Sequence, residues 1–267
     1  MRARVIDLHC HLLPGVDDGP ATVDESASLA AALVREGVTT VAATPHLRSD
    51  HPRVVVGELA ERTEALALEL QARGLELEVV SGGELDLTWA HRASDHELRL
   101  ASYGGAGSTL LLETPYGPLP DVFEHVVGRL RERGFRLLLA HPERSPTFQS
   151  EPERVERLVA AGVLVQVTAM SLLSGRSSGS RRLARRLLER GCAHVLASDA
   201  HSARDDGRES LADGFEEVAR MSPALAAWLV ETAPAAILAG EDVGEPPAIR
   251  ARRGGGLLRR RRPRRRR

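Results

Sequence analysis

Gly134-Phe135-Arg136-Leu137-Leu138-Leu139-Ala140-His141-Pro142-Glu143-Arg144 contains the unit from which the chain is built. A helical pattern, Asp121 to Arg133, stops on the glycine. Without a Cβ, that residue takes the left-handed conformation of a helix C-terminus at no steric cost. Arg136–Ala140 then reads as a short, mostly apolar strand, and a polar cluster opens at His141.

The same rhythm recurs in both directions. Gly37, Gly74, Gly162 and Gly191 stand between helical patterns (Asp24–Glu36, Val55–Arg73, Pro152–Ala161, Ser180–Arg190) and the runs Thr40–Ala43, Leu77–Ser81, Val163–Val167 and His194–Ala197. Val5–Leu8 and Thr109–Leu112 bring the apolar runs to seven. Apolar residues nearly throughout a run mark strands covered on both faces, as in a parallel sheet. Seven strands with helices between them predict an α/β fold, a distorted seven-stranded (β/α) TIM-like barrel with its site at the C-terminal strand ends; an open doubly wound sheet is the alternative. No linker divides residues 1–249, which read as one domain.

At 267 residues the chain is long enough to bury a large core without disulfides. Cys10 and Cys192 suggest no disulfide framework, no signal peptide is visible, and no apolar run nears the roughly 18–20 residues of a membrane span. A cytoplasmic protein without a transmembrane segment is expected. All 36 basic residues are Arg. Eleven of them fall in residues 250–267, so the net charge of −1 leaves about −12 on the rest. The Gly-, Pro- and Arg-rich tail is expected to be disordered. It could bind polyanions through counterion release. Having no aromatic residue to stack on bases, it predicts no specific nucleic-acid partner.

The strand ends carry the chemistry. The first ends in Asp7-Leu8-His9-Cys10-His11, with Asp17-Asp18-Gly19 following; the second ends in Thr44-Pro45-His46. Gly82-Gly83-Glu84 follows the third, Glu113-Thr114-Pro115 the fourth, His141-Pro142-Glu143-Arg144 the fifth and Ser198-Asp199-Ala200-His201 the seventh. His9 and His11 are two apart, so on a strand both rings face one side; Asp199 and His201 repeat the spacing. So many imidazoles and carboxylates in one place call for cations between them. The mixture suits Zn, Mn or Fe, and its size implies two or three ions. His51, His91, His96, His125 and His194 lie elsewhere and read as structural, as do Trp89 and Trp228. Tyr116 lies near the mouth, where it could contact an aryl leaving group.

The runs DLHCHLLPGVDDGP, TPH, GGELDL, LLETP, LAHPER and ASDAHS resemble the PHP superfamily (polymerase and histidinol phosphatase). Within it, the chain is similar to the bacterial tyrosine-protein phosphatases of capsule and exopolysaccharide systems, the CpsB/YwqE-like branch. PGVDDGP, HPER, QVTAMSLLSG and APAAILAGED carry that closer likeness, which spans roughly Val5 to Asp242. The resemblance implies the PHP fold and a trinuclear site. His9, His11, Glu84 and Asp199 would hold one ion, and Glu84, Glu113 and His141 a second. Asp18, His46 and His201 would hold a third, with Mn the expected ion; Asp17 competes with Asp18. Arg144 and Arg208 match positions that bind phosphate and assist catalysis, and Arg204 competes with Arg208.

The implied activity is hydrolysis of phosphotyrosine by cation-activated hydroxide, the substrate being a bacterial tyrosine kinase that controls capsule synthesis. A small-molecule phosphoesterase of the histidinol-phosphatase type is the alternative. Chemically, cations acidify a bound water, and an Arg fork neutralises phosphoryl charge. Cysteine-based phosphatase chemistry requires an Arg six positions after the nucleophile, where Val16 and Ser198 stand. Cys10 is expected to point away from its histidine neighbours and pack.

Overall fold

The computed structural model describes residues 4–203 and 210–249. Arg204, Arg208 and the Arg-rich tail lie outside the described residues. All strand pairing is parallel, among β1 (Val5–Cys10), β2 (Val38–Ala43), β3 (His46–Leu47), β4 (Glu78–Ser81), β5 (Glu84–Leu85), β6 (Thr109–Glu113), β7 (Arg136–Ala140), β8 (Leu164–Thr168) and β9 (Val195–Ala197). Each of the seven apolar runs overlaps a strand. The pairing gives two sheets rather than one closed ring. Three strands lie in the order β1-β2-β4 and six in the order β3-β5-β6-β7-β8-β9.

Two short chain passages lead from the three-stranded sheet into the six-stranded one, and both lie beside expected ligands. After β2 the backbone passes through Thr44-Pro45 before re-pairing at His46. Proline has no N–H to give a ladder, while its carbonyl accepts from Glu84 N at 3.0 Å. After β4 the chain passes through Gly82-Gly83. A Cβ on Gly83 would sit 2.5 Å from Leu47 Cδ1, so a bare backbone is what lets β5 approach β3. On the other side β9 meets β1, where Asp199 N donates to His9 O at 2.8 Å and His11 N to Ala200 O at 2.9 Å.

The five expected helices form close to their predicted limits: Val23–Arg35, Leu59–Ala72, Phe123–Glu132, Pro152–Ala160 and Gly179–Glu189. Thr22 caps the first by accepting from Glu25 N, and its buried stripe is Ala27, Leu29, Ala30 and Leu33. Further helices were not anticipated, among them Leu87–Arg92, Asp95–Ala101, Leu211–Met221 and Ala233–Ala239. The core is aliphatic, with Phe123 set edge-on to Phe148 at 5.8 Å. Trp228 is buried and Trp89 packs against the core from its edge. Cys10 is fully buried, its Sγ against Ala200 O, as expected of a packing residue. No helix among the described residues is long and apolar enough to cross a membrane.

Candidate metal centre

Every one of the nine expected ligands comes to one place, at the C-terminal ends of the strands. Four overlapping groups bring their ligand atoms within 4.8 Å of one another: His11, Asp18, His46 and His201; His9, His11 and Glu84; His9, His141 and Asp199; and His46, Glu84 and Glu113. Glu84 is the hub. Its Oε2 lies 3.4 Å from His9 Nε2, 3.5 Å from His11 Nε2 and 2.9 Å from His46 Nδ1, and its Oε1 lies 2.9 Å from His141 Nε2. Asp199 Oδ1 faces His9 Nε2 at 3.2 Å and His11 Nε2 at 3.6 Å. Asp18 Oδ1 faces His46 and His201 at 3.6 and 3.4 Å. The cluster runs from full burial at His9, His11 and Glu84 to a half-exposed Asp18, so it has a solvent side.

The second ring nitrogens are held by supporting partners. His9 Nδ1 contacts Gln166 Oε1 at 3.1 Å, His11 Nδ1 contacts Asp17 Oδ2 at 2.8 Å, and His201 Nδ1 contacts the Asp199 carbonyl at 2.9 Å. These oxygens only accept, so each Nδ1 must carry the proton it donates. Each Nε2 is thereby turned toward the cluster, the arrangement metal-ligating histidines take from their supporting partners. Buried His9 Nε2, His11 Nε2, His46 Nδ1 and Glu84 Oε2 have no hydrogen-bond partner among the described residues. Orphaned buried polar atoms are costly. Convergent lone pairs of mixed imidazole and carboxylate type fit divalent cations.

Electrostatics agree with that need. Burial acts to lower the His9 pKa, but the Glu84 and Asp199 carboxylates outweigh it and raise it to about 9. Burial acts to raise Glu84 and Asp199, yet the surrounding histidines hold both well below the usual carboxylate range. Glu113 is pushed up by burial and by Glu84. Negative charge here thus depends on imidazolium protons, and cation binding would displace those protons.

Arg144 ends the short turn Pro142–Arg144, and its Nη1 donates to Asp199 Oδ2 at 2.6 Å and Tyr116 Oη at 3.0 Å. Among the described non-glycine residues, only His141 and Asp199 have positive φ, at 36° and 56°. Such backbone persists where surroundings enforce it, and it gathers at functional sites. Asp17 and Asp18 differ in their contacts. Asp17 is occupied by His11 Nδ1, Gly19 N and His46 N, whereas Asp18 faces the cluster.

Sequence reasoning missed three supporting residues. Gln166 orients His9 and accepts from His141 N; a glutamine inside the apolar strand LVQVT was its available signal. Asp7 is buried, accepts from His9 N and Ser198 N, and is pushed up to about 6 by burial. Arg48 donates to Glu113 at 3.2 Å and is itself held by Asp50. His51, read as structural, stacks on His46 with centroids 5.2 Å apart. His91, His96 and His125 are exposed and belong to none of the four groups. His194 is buried and accepts from Val165 N.

A parallel α/β body that presents oriented histidines and carboxylates at its strand ends has the build of a metal-dependent enzyme. The chain belongs to the capsular polysaccharide synthesis CpsB/CapC family, whose model matches residues 5–231. It is 30% identical over 200 residues to the tyrosine-protein phosphatase YwqE of Bacillus subtilis (strain 168), covering 75% of this chain and 78% of YwqE. It is 26% identical over 229 residues to the tyrosine-protein phosphatase CpsB of Streptococcus agalactiae serotype III (strain NEM316), covering 81% of this chain and 90% of CpsB. Among solved structures, it matches a chain from the work on YwqE of Bacillus subtilis and CpsB of Streptococcus pneumoniae, described as unique metal-dependent tyrosine phosphatases. There the TM-score is 0.78 at 27% identity, over 92% of this chain and 100% of that one.

Proposed function

We propose that the protein is a metal-dependent protein-tyrosine phosphatase whose cations are held by His9, His11, Asp18, His46, Glu84, Glu113, His141, Asp199 and His201. The carrying observation is the three histidines whose Nδ1 atoms are tied to oxygens while their Nε2 atoms face Glu84, Asp199 or Asp18. When bound, two or three divalent ions, Mn foremost and Fe or Zn compatible, supply Lewis acidity and a nucleophilic water near neutral pH.

The chain's own groups do the rest. Arg144 uses Nη1 for Asp199 and Tyr116, which leaves Nε and Nη2 to take phosphoryl oxygens. Glu84 and Asp199 fix the histidine rings against one another, so little reorganisation accompanies the reaction. Arg208 is the second phosphate-binding candidate in this reading. The catalytic body is residues 1–249, and its two sheets represent an opened seven-unit TIM-like barrel. The substrate is a phosphotyrosine protein, a bacterial tyrosine kinase of capsule or exopolysaccharide synthesis, met in the cytoplasm.

The test is hydrolysis of a phosphotyrosine peptide after chelation and Mn readdition, beside His9→Ala and Glu113→Ala. Activity restored by Mn and lost in both variants supports the reading. Faster turnover of histidinol phosphate than of the peptide would replace it with a small-molecule phosphoesterase.

A further inference from the structure

Tyr116 leaves β6 three residues after Glu113, on a loop anchored where Leu119 N donates to Thr147 Oγ1 at 3.0 Å. Its ring stacks on His141, with centroids 5.4 Å apart and planes 19° apart. Its hydroxyl accepts from Arg144 Nη1 at 3.0 Å, and the guanidinium carbon lies 5.9 Å from the ring centroid. The residue is nevertheless 54% exposed. Among the described residues it is the one aromatic in the set of large exposed apolar side chains, the others being Val23, Val55, Leu68 and Val122.

An aromatic ring left open at the mouth of a polar cluster has uncovered surface that water serves poorly. With one face against His141, the surface that remains open suits a second ring in an offset or edge-on contact. Arg144 connects this surface to the reaction, because the side chain that Tyr116 holds is the one that takes the phosphoryl group. A phosphoryl group on Arg144 therefore puts its ester substituent next to Tyr116. An aryl ester can lay its ring there, while an alkyl ester of similar charge has no flat face to offer.

The geometry points to Tyr116 as the residue that selects aryl over alkyl phosphates, its exposed ring surface receiving the ring of the leaving group. This inference rests on the phosphatase reading. The hydroxyl contact makes Tyr116 a positioning residue for Arg144 as well, and the two roles separate by substitution.

The test is binding of non-hydrolysable phenylphosphonate and methylphosphonate to the Mn-reconstituted full chain by titration calorimetry, in wild type, Tyr116→Phe and Tyr116→Leu. An aromatic contact of this kind is worth about fivefold in affinity. Wild type and Tyr116→Phe should share the phenyl preference. Tyr116→Leu should lose about fivefold of it while its methylphosphonate affinity matches that of Tyr116→Phe, which lacks the same hydroxyl. A phenyl-to-methyl ratio unchanged in Tyr116→Leu, or one that falls equally in Tyr116→Phe, overturns the assignment with the phosphatase reading intact. Wild type that binds neither phosphonate and hydrolyses no phosphate ester overturns both.

Discussion

Asp17 Oδ2 and His11 Nδ1 lie 2.8 Å apart, both side chains shut off from solvent. The adjacent Asp18 is half exposed and faces His46 and His201 instead. Two consecutive carboxylates thus divide the work, one orienting an imidazole and the other presenting its oxygen to the cluster. The division follows from the backbone turn, in which Asp17 also accepts from Gly19 N and His46 N.

Asp17→Asn keeps every proposed ligand and weakens the partner that fixes the His11 ring. Mn affinity should fall about 10- to 100-fold, the usual cost of losing such a partner. Titration calorimetry on the metal-free protein reads this directly. An unchanged affinity would mean that His11 needs no such support.

Glu84 contacts four histidines, so Glu84→Gln removes a charge from the centre of the set with little change of shape. Ions bound per chain should drop. Phosphotyrosine-peptide hydrolysis should fall by more than about a hundredfold, beyond the loss expected for a supporting partner. Elemental analysis beside a rate assay separates the two effects. Full metal content with normal turnover would remove Glu84 from the site.

Cations that bind the folded chain alone stabilise it by mass action. At a free concentration about a hundred times Kd the gain is about 2.7 kcal/mol. For a chain of this size that is a rise in Tm of roughly 5–10 °C. Thermal unfolding with chelator, and again after Mn readdition, should show a fall and a recovery of that order. No shift in either direction would count against a built ion site.

His194 gives a pH dependence separate from the cluster. Burial pushes its pKa down to about 4 from an ordinary 6.5. Between those values the unfolded chain takes a proton that the folded one refuses. This contribution to stability is therefore whole above pH 6.5 and falls by up to about 3 kcal/mol as pH drops toward 4. His194→Gln keeps an acceptor for Val165 N but does not titrate. The stability advantage of wild type over the variant, from urea unfolding, should shrink between pH 7 and pH 4.5. A constant gap would show that the buried ring gains its proton without penalty.

The Gly134-to-Arg144 unit was legible because its signals are local: a glycine stop, an apolar run and a polar strand end. Apolar runs and polar strand ends likewise placed the other six strands and picked out the nine candidate ligands. β3 and β5 were not legible as strands. Each is two residues long, and each exists because Pro45 and Gly82-Gly83 redirect a strand onto new neighbours. Gln166, and the ring-orienting role of Asp17, escaped for a related reason. Their role is set by ring nitrogens on other elements, and no spacing within the sequence encodes which nitrogen a distant oxygen will hold. Arg144 could be placed by its motif, but its bond to Tyr116 crosses from one loop to another.

The chain passes from the three-stranded sheet into the six-stranded one at residues 44–45 and 82–83, and the ladders it enters there begin at His46 and Glu84, both in the candidate metal cluster. The other junction, at Cys10 and Ala200, lies between His9 and His11 on one side and between Asp199 and His201 on the other. Ions seated there would act as rivets through the seam of the molecule. Starved of metal, a cell would then hold not an idle stock of intact enzyme but a body loosened along that seam and open to proteases. Metal supply would set how long the protein lasts as well as how fast it works.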